Sequence, residues 1–229
     1  MKPIQTEIEC LFAGFPDVLC GYADIAYSAF ARAYRAAVVF AVPYGKQLTA
    51  QTYSEQAFED GIQSARLRLE AILARLEALL QASGTAYCVP PVAQESEADL
   101  LAPFSFKFAA TRAGLGWIGK NDVLVTDRYG PRVRLSAVLV DAPLECGRPV
   151  NESRCPDDCK KCFEICPCRA LRGVQWNAGL HRAELIDYHR CNRMRSALIP
   201  KLGRKSACGL CLAVCPFGTD EAPDSHSST

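Results

Sequence analysis

RAGLGWIGKN, residues 112–121, carries Gly114, Gly116 and Gly119 at the spacing G-x-G-x-x-G, followed at once by Lys120. In a dinucleotide-binding fold that spacing follows a strand and opens a helix, so that glycine backbone and helix N-terminus meet a pyrophosphate. The surroundings here are the wrong way round. Residues 99–112 have helical character, whereas DVLVT, residues 122–126, has that of a strand. Without a strand–turn–helix unit, the glycines predict a tight helix-to-strand turn in place of a nucleotide site. Lys120 and Lys107 are then expected as solvated surface lysines.

Outward from this turn, the chain predicts a mixed fold. AAVVFAV, residues 36–42, is a strand, and residues 85–89 form another. Between them Ile62, Ala65, Leu69, Ile72, Leu73, Leu76, Leu79 and Leu80 recur at helical spacing. Thr52 with Glu55 suits a capping box and Gly84 a C-terminal stop. Strand–helix–strand order points to a layered α/β domain. In NDVLVTDRYGPRVRLSAVLVD, residues 121–141, two alternating runs flank DRYGP. Val123 and Val125 are therefore expected to form a β-hairpin with Val133, Leu135, Ala137 and Leu139. Composition then turns rich in Pro, Gly, Asn and Asp, which places a boundary near Pro149. Residues 1–149 would form an α/β domain, 150–218 a second small domain, and 219–229 a disordered polar tail.

Hydrophobic residues are 49% of the 229, enough for a core, and the net charge of +1 favours no polyanionic partner. Residues 1–15 do not resemble a signal peptide, and no apolar run is long enough to span a bilayer. A cytoplasmic protein with no membrane partner is expected. The three histidines lack a Ser or Asp constellation, which argues against a hydrolase.

Nine of the 13 cysteines fall between Cys155 and Cys215, a clustering that reads as metal binding in a chain without a secretion signal. CPDDCKKCFEICPCRAL, residues 155–171, spaces Cys155, Cys159, Cys162 and Cys166 by x3, x2 and x3, with Pro167 next. CGLCLAVCPFG, residues 208–218, spaces Cys208, Cys211 and Cys215 by x2 and x3, with Pro216 next, and Cys191 lies between the halves. This resembles the two-cluster ferredoxin pattern C-x2-C-x2-C-x3-C-P, in which the cysteine before proline ligates the other cluster. That topology implies Cys155, Cys159, Cys162 and Cys215 on one [4Fe–4S] cluster, and Cys166, Cys191, Cys208 and Cys211 on the other. Cys155 departs from the pattern and Cys168 is a spare thiol, so either completes the first cluster on spacing alone. Zinc is the rival occupant of C-x2-C pairs, but the duplicated x3-Cys-Pro element belongs to iron–sulfur proteins.

With AGLGWIGKN, a hairpin and a double cysteine segment in this order, the chain from about residue 36 to 218 resembles the epoxyqueuosine reductases, a family related to reductive dehalogenases. AVVFAVPYG, residues 37–45, fits that family's strand ending in Pro-Tyr. The resemblance implies a nitroreductase-like α/β domain followed by a ferredoxin-like double-[4Fe–4S] domain, with cobalamin bound between them. Electrons would pass through the clusters to cobalt, whose low-valent form reduces a substrate. The implied cofactor-binding positions are Gly116, Trp117, Gly119, Asn121, Leu124, Val125 and Thr126. Two roles are open to Trp117, packing on a cofactor face or plugging the core, and for Leu124 and Val125 strand core is the alternative. Flavin is the runner-up cofactor, since the nitroreductase-like scaffold hosts one.

Two departures bear on function. The family's acid lies just before an Ala-Pro; here Ala102-Pro103 is preceded at that position by Leu100, and Asp99, one residue early, is the candidate catalytic acid. Glu95 and Glu97 are expected to be solvated. The full-length reductases also carry sequence after the last cluster motif that grips tRNA, and the resemblance is to a short form lacking it. The basic stretch with His181, Arg182, His189, Arg190, Arg193, Arg195, Lys201, Arg204 and Lys205 is read as a solvated face offsetting cluster charge, ahead of a tRNA contact, because Tyr188 is its lone aromatic. These features together point to an iron–sulfur and cobalamin-dependent oxidoreductase. It would take electrons from a low-potential donor such as ferredoxin or flavodoxin and reduce an unidentified small-molecule or protein acceptor. The alternatives are an epoxyqueuosine reductase acting on tRNA and a non-catalytic cobalamin carrier or electron-transfer protein.

Overall fold

The computed structural model describes residues 3–44, 48–92, 102–202 and 208–219. Its first elements are α1 (Ile4–Ala13), β1 (Leu19–Asp24) and β2 (Ala36–Pro43). All of β2 is buried except Pro43, as a run of consecutive apolar residues requires when both faces of a strand are covered. Then come α2 (Glu55–Ala82), β3 (Tyr87–Cys88), α3 (Phe106–Arg112), β4 (Trp117–Ile118), β5 (Leu124–Val125) and β6 (Val133–Val140).

The main sheet has the order β1-β2-β6-β3. β1 pairs antiparallel with β2, and β3 with β6. The Arg35 amide donates to the Val140 carbonyl at 3.0 Å and that of Tyr44 to Arg132 at 3.1 Å, so β2 and β6 are antiparallel too. β2 and β3, on either side of α2 in sequence, thus run the same way with β6 wedged between them. The expected strand–helix–strand order is present, but the sheet it joins is built from antiparallel pairs, and the fold is a mixed α+β one.

The expected hairpin does not form. β5 pairs with β4, Trp117 opposite Val125 and Ile118 opposite Leu124, while β6 enters the main sheet. DRYGP still reverses the chain, through a bridge between Thr126 and Gly130. β6 is buried without interruption over its last five residues, and the eight-residue β2 offers it a long buried partner, which the two-residue β5 does not.

The buried positions of α2 include Phe58, Ile62, Ala65, Leu69, Ile72, Leu76 and Leu80, a helical period. Leu73 and Leu79 are half-buried. Ser54, not Thr52, caps its N-terminus: the Ser54 hydroxyl accepts from the Ala57 amide at 3.0 Å, whereas that of Thr52 accepts from Thr49. At the other end Gly84 has φ +67°, with the Gly84 amide on the Gln81 carbonyl and that of Thr85 on Leu80, a Schellman stop. A Cβ on Gly84 would meet nothing within 4 Å. Gly84→Ala should therefore cost about 1 kcal/mol, the left-handed backbone penalty alone. Chemical denaturation followed by circular dichroism checks this, and an unchanged midpoint would refute it.

The chain divides into two compact units. The first comprises Met1–Pro43, Gln63–Leu115 and Arg134–Asn151. Within it α3 packs on β1 and β2, and Phe12 of α1 meets Phe40 at 5.4 Å between ring centres. The second comprises Tyr44–Ile62, Gly116–Val133 and Glu152–Thr229. It contains the short helices α4 (Lys161–Glu164), α5 (Arg182–Leu185), α6 (Tyr188–Ser196), α7 (Ile199–Leu202) and α8 (Leu210–Ala213), with α4 against α8. No described helix is long and apolar enough to cross a membrane. Asp99, Glu95, Glu97, Arg204, Lys205 and residues 220–229 lie outside the described residues.

Candidate functional site

Each glycine of the opening motif has a local reason. Gly114, at φ +76°, is a Schellman stop for α3: its amide bonds the Thr111 carbonyl at 3.1 Å and that of Leu115 bonds Ala110 at 3.0 Å. A helix therefore enters the motif where a nucleotide fold has a strand. Gly116 lies so close to the facing strand that a Cβ would overlap the Val125 carbonyl. A Cβ on Gly119 would come within 2.7 Å of Asn121 Oδ1, 2.8 Å of Val125 Cγ2 and 3.5 Å of Cys155 Sγ. Gly116 thus lets β4 close on β5, and Gly119 seats the β4–β5 turn against Cys155 of the first cysteine loop.

The cysteines sort into two groups within the second unit. Cys155, Cys159, Cys162 and Cys215 line one small cavity together with Lys120, Asn121, Val125 and Phe217. Cys155 is thus at the cavity, whereas Cys168 is elsewhere, its Sγ 3.7 Å from that of Cys166. Burial pushes the Cys162 thiol up to about 12, and its neighbours Cys155, Cys215 and Cys159 add to this. Burial likewise raises Cys215 to about 11, against the Phe217 amide and Arg132. Cys166, Cys191, Cys208 and Cys211 act on one another electrostatically and form the second group, although Cys162 also acts on Cys211, and Cys166 and Cys191 on Cys168. Burial raises Cys191, Cys208 and Cys211. Cys166 is also pushed up by burial, but amide hydrogen bonds, among them those from Ala170 and Leu171, outweigh this and leave it lowered. Burial thus holds Cys162, Cys215, Cys191, Cys208 and Cys211 toward the thiol form, and metal loading on them releases protons. Among the described residues no three Cys, His, Asp or Glu side chains are arranged to hold a single metal ion.

Two buried cations grip the loops that bring the first group together. Lys120, 4% exposed, donates to the carbonyls of Pro156 at 2.8 Å, Asp157 at 2.9 Å and Cys159 at 3.2 Å. Arg132, also 4% exposed, donates to the carbonyls of Leu212 at 2.8 Å, Cys215 at 3.1 Å and Phe217. Asn121 adds a bond to the Cys211 carbonyl at 3.3 Å. Lys120 is therefore not a surface lysine, and Arg132 carried no sequence signal beyond its place after Gly130-Pro131. Neither has a carboxylate at ion-pairing distance among the described residues. Buried cations of this kind fit a cavity that holds negative charge, as a thiolate-ligated cluster does.

The remaining motif positions are interior. Trp117 is fully buried, edge-on to Phe217 at 4.9 Å and under the Arg154 guanidinium, with Nε1 unpartnered. Asn121 Oδ1 is likewise buried and unpartnered. Leu124 and Val125 are buried strand, and the Thr126 hydroxyl serves the turn, donating to Gly130 O and accepting from the Tyr129 amide. Open space lies beside the first cavity: a cleft of about 520 Å³ shares Lys161, Cys215 and Pro216 with it and adds Thr49, Gln51, Glu164 and Ile165. In the basic stretch, Arg182 pairs with the buried Asp122 at 3.1 Å, Lys201 with Glu55, and Arg190 and Arg193 are exposed. Arg195 acts on Cys191 and Cys208.

No protein-family model matches the chain. The epoxyqueuosine reductase of Synechococcus sp. (strain RCC307) is 31% identical over 131 residues, 54% of this chain and 38% of that protein. The chain is a relative of epoxyqueuosine reductases. It also matches the tetrachloroethene reductive dehalogenase of Sulfurospirillum multivorans, at 31% identity over 47% of this chain and 22% of that protein. It thus spans well under half the length of either relative. A solved epoxyqueuosine reductase superposes over 98% of this chain and 68% of its own, with TM-score 0.60 and 20% identity. A reductive dehalogenase whose structure suggests a mechanism for B12-dependent dehalogenation covers 94% of this chain and 32% of its own, at TM-score 0.65 and 20% identity. An epoxyqueuosine reductase with an epoxyqueuosine-modified tRNA stem loop gives TM-score 0.54 at 21% identity, over 85% of this chain and 51% of its own. At these identities the structural likeness to epoxyqueuosine reductases speaks for the mixed α+β fold.

Proposed function

We propose that the chain is a reductase of the epoxyqueuosine reductase type, holding two [4Fe–4S] clusters on its eight motif cysteines and a cobalamin beside them. When bound, the clusters supply one-electron transfer and the cobalamin a reducible cobalt. The observation that carries the reading is the company of Cys215. Cys215 comes from the second sequence motif yet shares a cavity with Cys155, Cys159 and Cys162 of the first. Such an exchange of the cysteine before proline belongs to two-cluster ferredoxins. We assign Cys155, Cys159, Cys162 and Cys215 to one cluster and Cys166, Cys191, Cys208 and Cys211 to the other, in a ferredoxin-like arrangement.

The cleft beside Cys215 is the proposed seat of the cobalamin. Its volume of about 520 Å³ would take one edge of the macrocycle, not the whole cofactor, and Cys215 and Pro216 border both it and the cluster cavity. Thr49, Gln51, Lys161 and Glu164 offer it polar groups, and Ile165 an apolar wall. Gly116, Trp117, Gly119, Asn121, Leu124, Val125 and Thr126 stay the proposed cofactor-binding segment, in which Asn121 and Val125 line the cluster cavity and Asn121 Oδ1 and Trp117 Nε1 are the spare polar atoms. A donor such as ferredoxin or flavodoxin would supply electrons, and Asp99 stays the candidate acid.

Epoxyqueuosine in tRNA is the favoured substrate, because curated relatives bear that activity's name and a solved relative holds the modified stem loop. Anaerobically purified protein should contain iron and sulfide, and hydroxocobalamin should change its spectrum on binding. It should also restore queuosine in a strain that accumulates epoxyqueuosine. Absence of iron and sulfide would end the cluster reading, an unchanged cobalamin spectrum the cofactor reading, and failed complementation by fully loaded protein the substrate reading.

A further inference from the structure

Lys120 and Arg132 divide the first cysteine group between them. Lys120 holds the loop from Cys155 to Cys162 through three carbonyls, and Arg132 holds the turn around Cys215 through three more. All three ammonium protons of Lys120 are spent on neutral carbonyls, and Lys120 borders the cavity of Cys155, Cys159, Cys162 and Cys215. Carbonyl dipoles solvate an ammonium but do not neutralise it, and burial keeps water from screening it. The second cysteine group has Arg195 beside it, a half-buried residue that solvent screens more.

We propose that Lys120 is a positioning residue that raises the reduction potential of the first cluster, holding it above the value the same four cysteines would give with Arg132 as their one buried cation. The inference rests on the cluster reading above. Adding an electron makes a thiolate-ligated cluster more negative, and a nearby fixed positive charge favours that reduced form. The charge reaches the site because Lys120 follows Gly119, whose missing side chain lets the β4–β5 turn lie against Cys155.

The test compares the wild-type chain, Lys120→Gln and Lys120→Arg, all prepared anaerobically. Iron and sulfide are measured first, then both midpoint potentials by titration followed with electron paramagnetic resonance. Glutamine keeps hydrogen-bond donors but loses the charge, whereas arginine keeps both. The glutamine variant should retain both clusters and move one midpoint to more negative potential by at least a tenfold change in the one-electron equilibrium, about 59 mV. The other midpoint should stay, and the arginine variant should keep the wild-type value. Loss of one cluster in the glutamine variant alone would mean that Lys120 holds the loop through its hydrogen bonds and does not act through its charge on the potential, and would overturn the proposal. Unchanged midpoints in the glutamine variant, equal shifts in both variants, or cluster loss in both would overturn it. A wild-type chain free of iron and sulfide would remove the cluster reading itself, a result separate from any of these.

Discussion

Cys215→Ser is expected to lower the iron content of the anaerobically purified protein by about half. Cys168→Ser should leave it unchanged. The contrast follows from position. Cys215 sits at 9% exposure in the cavity with Cys155, Cys159 and Cys162, and its carbonyl is held by Arg132. Its loss removes one corner of a four-thiolate set that no other described cysteine lines. Cys168 lies beside Cys166, in the company of Cys191, where four motif cysteines are already present. A milder form of the same loss is a cluster with one iron fewer, recognised by its resonance in the oxidised protein. Full iron in the Cys215 variant, or a matching drop in the Cys168 variant, would show that the ligands are grouped differently.

Gly116→Ala should destabilise the second unit by about 3 kcal/mol, the upper part of the usual overpacking range. The added methyl would be driven into the Val125 carbonyl. That carbonyl belongs to β5, both of whose residues are buried and paired with β4, so it has little room to give. The two tryptophans of the chain, Trp117 and Trp176, both lie in the second unit, so their fluorescence reports on this unit alone during urea unfolding. A midpoint within error of wild type would mean that the turn relaxes freely and that the glycine is dispensable.

These two substitutions also show what the sequence reveals and what it hides. β2 and α2 were legible because their patterns extend over many residues: a consecutive apolar run in one, a long helical period in the other. β1 was not, since Cys20, Gly21 and Tyr22 are half-buried and give no alternation. β4 and β5 are two residues each, too short for any period, so Val125 was paired in advance with the wrong strand. The cysteine spacings were distinctive at the level of chemistry. They left Cys155 and Cys168 equivalent, and only three-dimensional placement separates them. Lys120 misled for a different reason. Lysine is almost always solvated, and carbonyl partners 36 to 39 residues ahead leave no mark in local sequence.

The company of Cys215 also has a consequence for how the protein is made. Translation releases Lys120 and Arg132 before any of the motif cysteines, and Cys215 after all the others. The surface that receives the loops is therefore synthesised first, while Cys155, Cys159 and Cys162 wait for a fourth thiol that arrives last. On the proposed ligation, metal delivered during synthesis meets an incomplete site, and the closing of a long loop falls to the final step. Biogenesis would then favour insertion after Cys215 has emerged, with both ligand sets completed by the same late segment.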